Sequence, residues 1–526
     1  MGAAEGKTEG QVKLGSSGGR AGWAILSALL LAHIFLATLQ FDPKPFVGGD
    51  NAGYMILAEA LESGRGYRDV YLPGEPLHAQ YPPVYPALLA VTGALGGGLT
   101  LFKVLSAVFT TSSLVFLFGL ARRRLGWEVG LAVLAPFAVN PVLVYYSHWV
   151  LSEAPFVLLT LVALWAAERM TNSSRWLAVA VSGAVLAYLT RAAGLPLLAA
   201  LVLSIAWRRR WRQLALAGAP IVIAVAGWWL WGRLAARESA RVYSNNFLLV
   251  DPYSPSLGYV GPAELFARVV NNIRLYCVQV MPESLAGVAP GGGISLVALL
   301  VALLVLALAV VGWLSQIRKM RALELYTILY AALIFLWPQV WTDRRFLLPL
   351  LPVLFLHSAG GLSWCFEFLR RRRPEWALPV LSGVLIALTI PHHIQTIGFN
   401  QSCLRVYRQG DELACYPPPW RAFVQAAHWV RDNTPEDAIV VSRKPRLFYY
   451  WSGRRGDVYP FTQEEDEMFA FLDSIHTDYV VVAGLSGTTA RYLIPVIRSM
   501  PERFDLIFTV GQGPAAAYVL AYRSSP

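Results

Sequence analysis

The sequence predicts a polytopic α-helical membrane protein with a small C-terminal α/β soluble domain, and three observations carry that expectation. Of the 526 residues, 56% are hydrophobic and only 15% charged, against about 25% charged in soluble domains. Apolar stretches close to the roughly 20 residues that cross a bilayer recur along the chain, as at 21–39 and 294–314. Basic clusters follow four such stretches: Arg122 to Arg124, Arg208 to Arg210, Arg318 with Lys319 and Arg321, and Arg370 to Arg373. A net charge of +11 gathered in this way is a topology signal, because cytoplasmic loops carry the excess of Lys and Arg. A nucleic-acid partner needs one basic soluble face instead, so no nucleic acid is expected.

Residues 1–20 are rich in Gly, Ser and Lys and predict a disordered cytoplasmic N-terminus. The membrane domain is expected over 21–394. Its first stretch lacks a small-residue cleavage site, so it is a span rather than a signal peptide. An outer loop follows at 41–99. Within it 82–99 is apolar but short, with Pro82, Pro83 and Pro86 at its start and Gly96 to Gly98 at its end. Taking it as an interfacial or re-entrant segment puts all four basic clusters on the cytoplasmic side. Further spans are expected at 101–120, 129–146, 154–167, 176–189, 192–207 and 214–231. A second outer loop at 233–290 precedes spans at 294–314, 325–341, 346–362 and 376–390, about eleven in all.

Residues 395–526 alternate β-branched runs with helix-like stretches and predict an extracytoplasmic α/β domain. Strands are expected at 439–442, 479–483, 504–510 and 517–521, with helices at 420–432, 464–475 and 489–500. Cys403 and Cys415 either pair, if that region lies outside, or stay free thiols. No CxxC or HxxxH metal spacing and no Gly-rich phosphate loop is present.

Asp50, Glu153, Arg191 and the pair Arg344 and Arg345 all fall on the outer face of this topology. Each alone is equally a residue at a helix end in the wet interface. Together they divide usefully: carboxylates to take a proton or position an acceptor, guanidinium groups to hold a phosphate.

These residues lie in segments that resemble the GT-C superfamily, specifically bacterial relatives of protein O-mannosyltransferases and lipid A aminoarabinose transferases. The run from Gly49 to Tyr54 sits where the family has its first acidic motif. His78-Ala79-Gln80-Tyr81-Pro82-Pro83 resembles its Pro-Pro segment, although many members have Lys where this chain has Tyr81, so a lysine role cannot be carried over. Tyr146 to Glu153 resembles the second acidic motif, Tyr188 to Arg191 another recurrent element, and Arg344 to Pro352 the late Arg-aromatic-x-x-Pro motif.

The resemblance implies a glycosyltransferase that moves a sugar from a polyprenyl-phosphate-linked donor in a single inverting displacement. The acceptor is a protein, a lipid or a glycan, and the protein sits among membrane lipids. Asp50 and Glu153 are the expected catalytic carboxylates, with Arg345, Arg344 and Arg191 on the donor phosphate. His78, Tyr81, Tyr54 and His148 are substrate-site candidates. Some members need a divalent metal (Mg or Mn), for which Asp50 and Glu153 would be the ligands. Two other readings stay open. A polysaccharide polymerase or ligase would use a diphosphate-linked glycan. A lipid or sugar transporter explains the spans but neither the C-terminal domain nor the missing internal repeat.

Overall fold

The computed structural model describes residues 19–46, 48–170, 173–237, 247–288, 292–369 and 375–524. The expected disorder before residue 19 and the cluster Arg370 to Arg373 lie outside the described residues. Each segment expected to span is mainly helical, with breaks at 139–140, 337–338 and 348–350. Five helices are long and apolar enough to cross a membrane: Arg20–Leu39, Leu99–Leu125, Trp211–Ala235, Leu296–Ile317 and Ala377–Arg408. Shorter apolar helices such as Glu153–Ala167 bury most of their residues within the bundle. The long helices instead expose large apolar side chains, for example Leu216, Val222 and Ile223 on one and Leu300, Leu304 and Val310 on another. Water would penalise such a belt and lipid would not. This is the architecture of a membrane protein.

Close packing inside the bundle depends on small residues. Leu296–Ile317 and Leu351–Phe368 meet at Gly312 and Gly361. A Cβ on the first would strike the His357 carbonyl, and one on the second the Leu308 carbonyl. Lys103 sits inside Leu99–Leu125 with no exposure. Its ammonium donates to the carbonyls of Asp42, at 2.5 Å, and Lys44, and lies 3.9 Å from the Phe46 ring centre. Those bonds tie the first loop down onto the bundle.

Three details bear on the sequence reading: one charge is buried where a free one was expected, the 82–99 segment is too short to span, as expected, and the second outer loop is more helical than expected. Arg124, read as a topology charge, is buried and paired with Glu168 at 2.7 Å and Glu324 at 2.5 Å. The 82–99 segment holds the helix Val84–Ala94, only 11 residues long. That is roughly 16 Å, about half of a 30 Å hydrocarbon core. The 233–290 segment is largely helical where described, with Pro262–Leu275 and Met281–Ala286 each started by a proline in the first turn.

The C-terminal sheet has the order β1-β2-β4-β3, formed by Val440–Ser442 (β1), Tyr479–Ala483 (β2), Phe504–Val510 (β3) and Ala517–Tyr522 (β4). β1 and β2 are parallel, and the other pairs antiparallel. Alternate residues face opposite sides. Val440, Val481 and Val519 pack on the helix Pro418–Asn433. Val441, Val480 and Leu520 pack with Met468, Leu472 and Val496 on the other side. Ala377–Arg408 runs unbroken past residue 394, where the membrane domain was expected to end. Cys403 near its end is disulfide-bonded to Cys415.

One helix joins the two parts. Gly49–Glu62 turns Tyr54, Leu57 and Ala58 into the core of the helical bundle. Its opposite face, with Ala52, Ile56 and Ala60, enters the core beneath the sheet with Phe423, Val440 and Phe448. Its first turn therefore lies at the junction.

Candidate active site

Helix ends bring the charged residues together. Asp50 and Glu153 each stand in the first turn of a helix, Gly49–Glu62 and Glu153–Ala167. There the helix dipole favours a carboxylate. Arg191 is the C-cap of Ser174–Thr190, where the dipole favours a cation. Arg345 is the second residue of the short helix Arg344–Leu347, whose N-cap Asp343 accepts from the Arg345 backbone N–H at 3.3 Å.

The four charges form one chain. Arg345 Nη1 donates to Asp50 Oδ2 at 2.9 Å, and Arg345 Nε lies 3.8 Å from Glu153 Oε1. Arg191 Nη1 donates to the same Glu153 oxygen at 2.5 Å. Two carboxylates and two guanidinium groups thus neutralise one another. Their exposures differ: the Asp50 side chain is 36% exposed and that of Glu153 1%. Asp50 consequently meets the space above, and Glu153 lies beneath Arg345 as its support.

The second Asp50 oxygen is also held. Tyr81 Oη donates to Asp50 Oδ1 at 2.8 Å. Arg446, from the helix Pro445–Ser452, donates to Tyr81 Oη at 2.5 Å, to Tyr71 Oη at 3.1 Å and to Gln80 Oε1 at 2.5 Å. The cation beside Tyr81 therefore comes from the C-terminal part of the chain. Burial works against the charged form of Asp50, but the Arg345 guanidinium, the Tyr81 hydroxyl and Arg446 outweigh it. Together they hold the carboxyl well below the usual carboxylate range.

The remaining candidates take supporting places. Tyr54 stacks on Tyr81 with ring centres 4.5 Å apart, and its hydroxyl donates to Ser152 Oγ at 2.8 Å. His78 is fully buried. Its Nδ1 bonds Asp69 at 2.8 Å and its Nε2 accepts from the Tyr81 backbone N–H at 2.7 Å, which sets the Tyr81 loop. His148 is buried beside Phe41 and Tyr145, and its Nδ1 has no hydrogen-bond partner among the described residues.

Above this network lies a cavity of about 850 Å³. Gly48 and Gly49 line it beside Asp50, which leaves the carboxylate uncovered by neighbouring side chains. Tyr145, Trp149, Trp337, Trp341, Tyr253 and Phe461 contribute aromatic walls. Arg443, Lys444 and Arg446 line it from the C-terminal side. The sequence reading passed over these three. The available signal was a run of cations around Pro445, directly after a β-branched strand.

A resident divalent cation does not fit these donors. Asp50 and Glu153 are both engaged by Arg345, and among the described residues no three His, Cys, Asp or Glu side chains group together as metal ligands.

No protein-family model matches the sequence, and the comparison with curated proteins finds no match by sequence. Solved structures match its fold. The AglB oligosaccharyltransferase of Archaeoglobus fulgidus, in complex with an inhibitory peptide and a dolichol-phosphate, aligns at a TM-score of 0.57 and 14% identity, over 96% of this chain and 74% of that one. ArnT from Cupriavidus metallidurans aligns in its apo state at 0.58 and 11% identity, over 95% and 98% of the two chains. Bound to undecaprenyl phosphate, it aligns at 0.57 and 12% identity, over 96% and 99%. At such identities the likeness concerns the fold, and the fold of this chain is the one that AglB and ArnT share.

Proposed function

We propose that the protein is a membrane glycosyltransferase that takes its sugar from a polyprenyl-phosphate-linked donor. The observation that carries this reading is the convergence of Asp50, Glu153, Arg191 and Arg345 beneath one cavity with cationic and aromatic walls. Four distant segments supply those side chains, on a fold whose solved examples include one bound to undecaprenyl phosphate.

The acceptor hydroxyl sits against Asp50 and attacks the anomeric carbon from the face opposite the phosphate. The bond from that carbon to the phosphate oxygen breaks, and the phosphate leaves with the electron pair. The hydroxyl proton passes to Asp50, and the configuration inverts. A carboxylate with so low a pKa is a weak base, so it orients the acceptor first and takes the proton late, once the attacking oxygen has become acidic. Arg345 and Glu153 position it. The aromatic walls offer apolar faces to the sugar ring.

The reaction is assigned to the extracytoplasmic side. The clusters at Arg122, Arg208 and Arg318 follow the ends of helices expected to point inward. The Cys403–Cys415 disulfide belongs in an oxidising compartment. A diphosphate-linked donor is the second reading, favoured by the surplus of cations in the cavity.

Purified protein assayed with monophosphate- and diphosphate-linked sugars decides between donors. In the same assay Asp50→Asn should lose about 10²–10⁴-fold in turnover with expression and donor binding retained. Turnover near the wild-type rate in that variant sinks the mechanism.

A further inference from the structure

Five cationic side chains line the cavity, Arg344, Arg345, Arg443, Lys444 and Arg446, against two carboxylates, Asp50 and Asp343. Asp50 is matched by Arg345, and Asp343 caps the Arg345 backbone. The other four cations have no carboxylate partner among the described residues. Arg446 is satisfied by neutral oxygens of Tyr71, Tyr81 and Gln80. Three are left with donors to spare. Arg344 gives one hydrogen bond to the Val288 carbonyl at 3.2 Å and lies over the Tyr145 ring. Arg443 uses only Nε, bonded to Ser486 Oγ at 2.9 Å and Thr488 Oγ1 at 2.7 Å. Lys444 Nζ makes no hydrogen bond or ion pair among the described residues.

Like charges crowded without a counter-charge are costly, and a bound anion removes that cost. Burial and the neighbouring Arg443 push the Lys444 ammonium pKa down, and the pull of Asp50 the other way does not offset them. The location is also that of a ligand site. Arg443 and Lys444 follow the carboxyl end of β1, and Ser486 and Thr488 follow the carboxyl end of β2, its parallel neighbour. Open α/β sheets bind ligands beyond the carboxyl ends of their parallel strands. Trp337 and Trp341, just past the helix Ala322–Leu336, line the same cavity. Indoles of this kind concentrate at the membrane–water interface, which sets the cations at lipid headgroup depth.

We infer that Arg443 and Lys444, in the turn after β1 of the C-terminal sheet, together with Arg344, form the receptor for the phosphate ester of the lipid carrier, while Arg345 and Arg191 hold Asp50 and its support Glu153. The inference rests on the glycosyl-transfer reading above. It moves phosphate recognition from the membrane helices to the soluble part of the chain. The planar fork of Arg443 suits two phosphate oxygens at once, and Lys444 adds a point charge.

Binding of undecaprenyl phosphate to the purified full-length protein tests it, with undecaprenol and inorganic phosphate as comparison probes. Arg443→Gln and Lys444→Gln should each weaken undecaprenyl phosphate binding about tenfold or more, with undecaprenol binding and thermal unfolding unchanged. Lys444→Arg, which keeps the charge, should retain most of the affinity. Asp50→Asn should bind the lipid phosphate while losing turnover, which separates the receptor from the reaction. Wild-type affinity in both Gln variants overturns the receptor and leaves the reaction standing. A wild-type protein that does not prefer undecaprenyl phosphate to undecaprenol overturns both. Displacement by inorganic phosphate at equal concentration assigns the cations to a free anion and overturns the lipid-headgroup assignment.

Discussion

Asp50 is held from two sides, by Arg345 on one oxygen and Tyr81 on the other. Such a clamp fixes direction at the expense of basicity. Its folded-state pKa lies below the unfolded value of about 3.9. The stability it contributes is therefore present above that pH and is lost as pH falls through the lower folded-state value. For the reaction, Asp50 stays ionised through the neutral and mildly acidic range. Turnover should thus show no acidic limb from this group between pH 7 and about 5. Arg345→Gln removes the largest cationic contribution and leaves burial to act, so the carboxyl pKa rises and the acidic limb moves to higher pH. Comparing pH–rate profiles of the two proteins checks this, and a limb that does not move refutes the clamp.

At the level of elements, the helix Gly49–Glu62 is the part on which the site depends. Its two faces belong to two different cores, one of membrane helices and one beneath the sheet. Asp50 in its first turn is placed by both. Ile56 is 2% exposed on the sheet-facing side. Ile56→Ala should lower stability by about 2–5 kcal/mol, as buried Ile truncations do, and should also lower turnover by loosening Asp50 from Tyr81 and Arg446. Thermal unfolding in detergent measures the first and steady-state assay the second. Full stability with wild-type turnover would show that the junction does not set the site.

For the whole molecule, the proposed orientation makes one prediction. The exposed acidic turn Glu464 to Glu467 opens a helix on the C-terminal unit. Asp466→Cys should react with a membrane-impermeant thiol reagent in intact cells, whereas Cys277 and Cys365 are only partly exposed. Protection of that position until the membrane is opened inverts the topology and removes the extracytoplasmic assignment. The same arrangement explains why the C-terminal unit is not an appendage: it buries one face of the Asp50 helix and lines the cavity with Arg443, Lys444 and Arg446.

Composition and hydropathy by themselves determined the class. A bilayer requires long apolar helices, and such helices cannot be hidden in a sequence. They also determined the four strands, because β-branched runs such as Val480-Val481-Val482 declare their period locally. Motif order singled out Asp50, Glu153, Arg191, Arg344 and Arg345, since charges next to apolar segments stand out. Partnership was another matter. Arg345 and Asp50 are 295 positions apart, and Arg446 and Tyr81 365. No local pattern records a contact at that separation. Arg443, Lys444 and Arg446 look like ordinary surface cations until the sheet brings their loop against the Gly49–Glu62 helix. Arg124 looks like a free topology charge until Glu168 and Glu324 close around it. Only the tertiary structure decided which guanidinium groups meet a carboxylate and which do not, because that depends on distances between segments the chain itself does not place side by side.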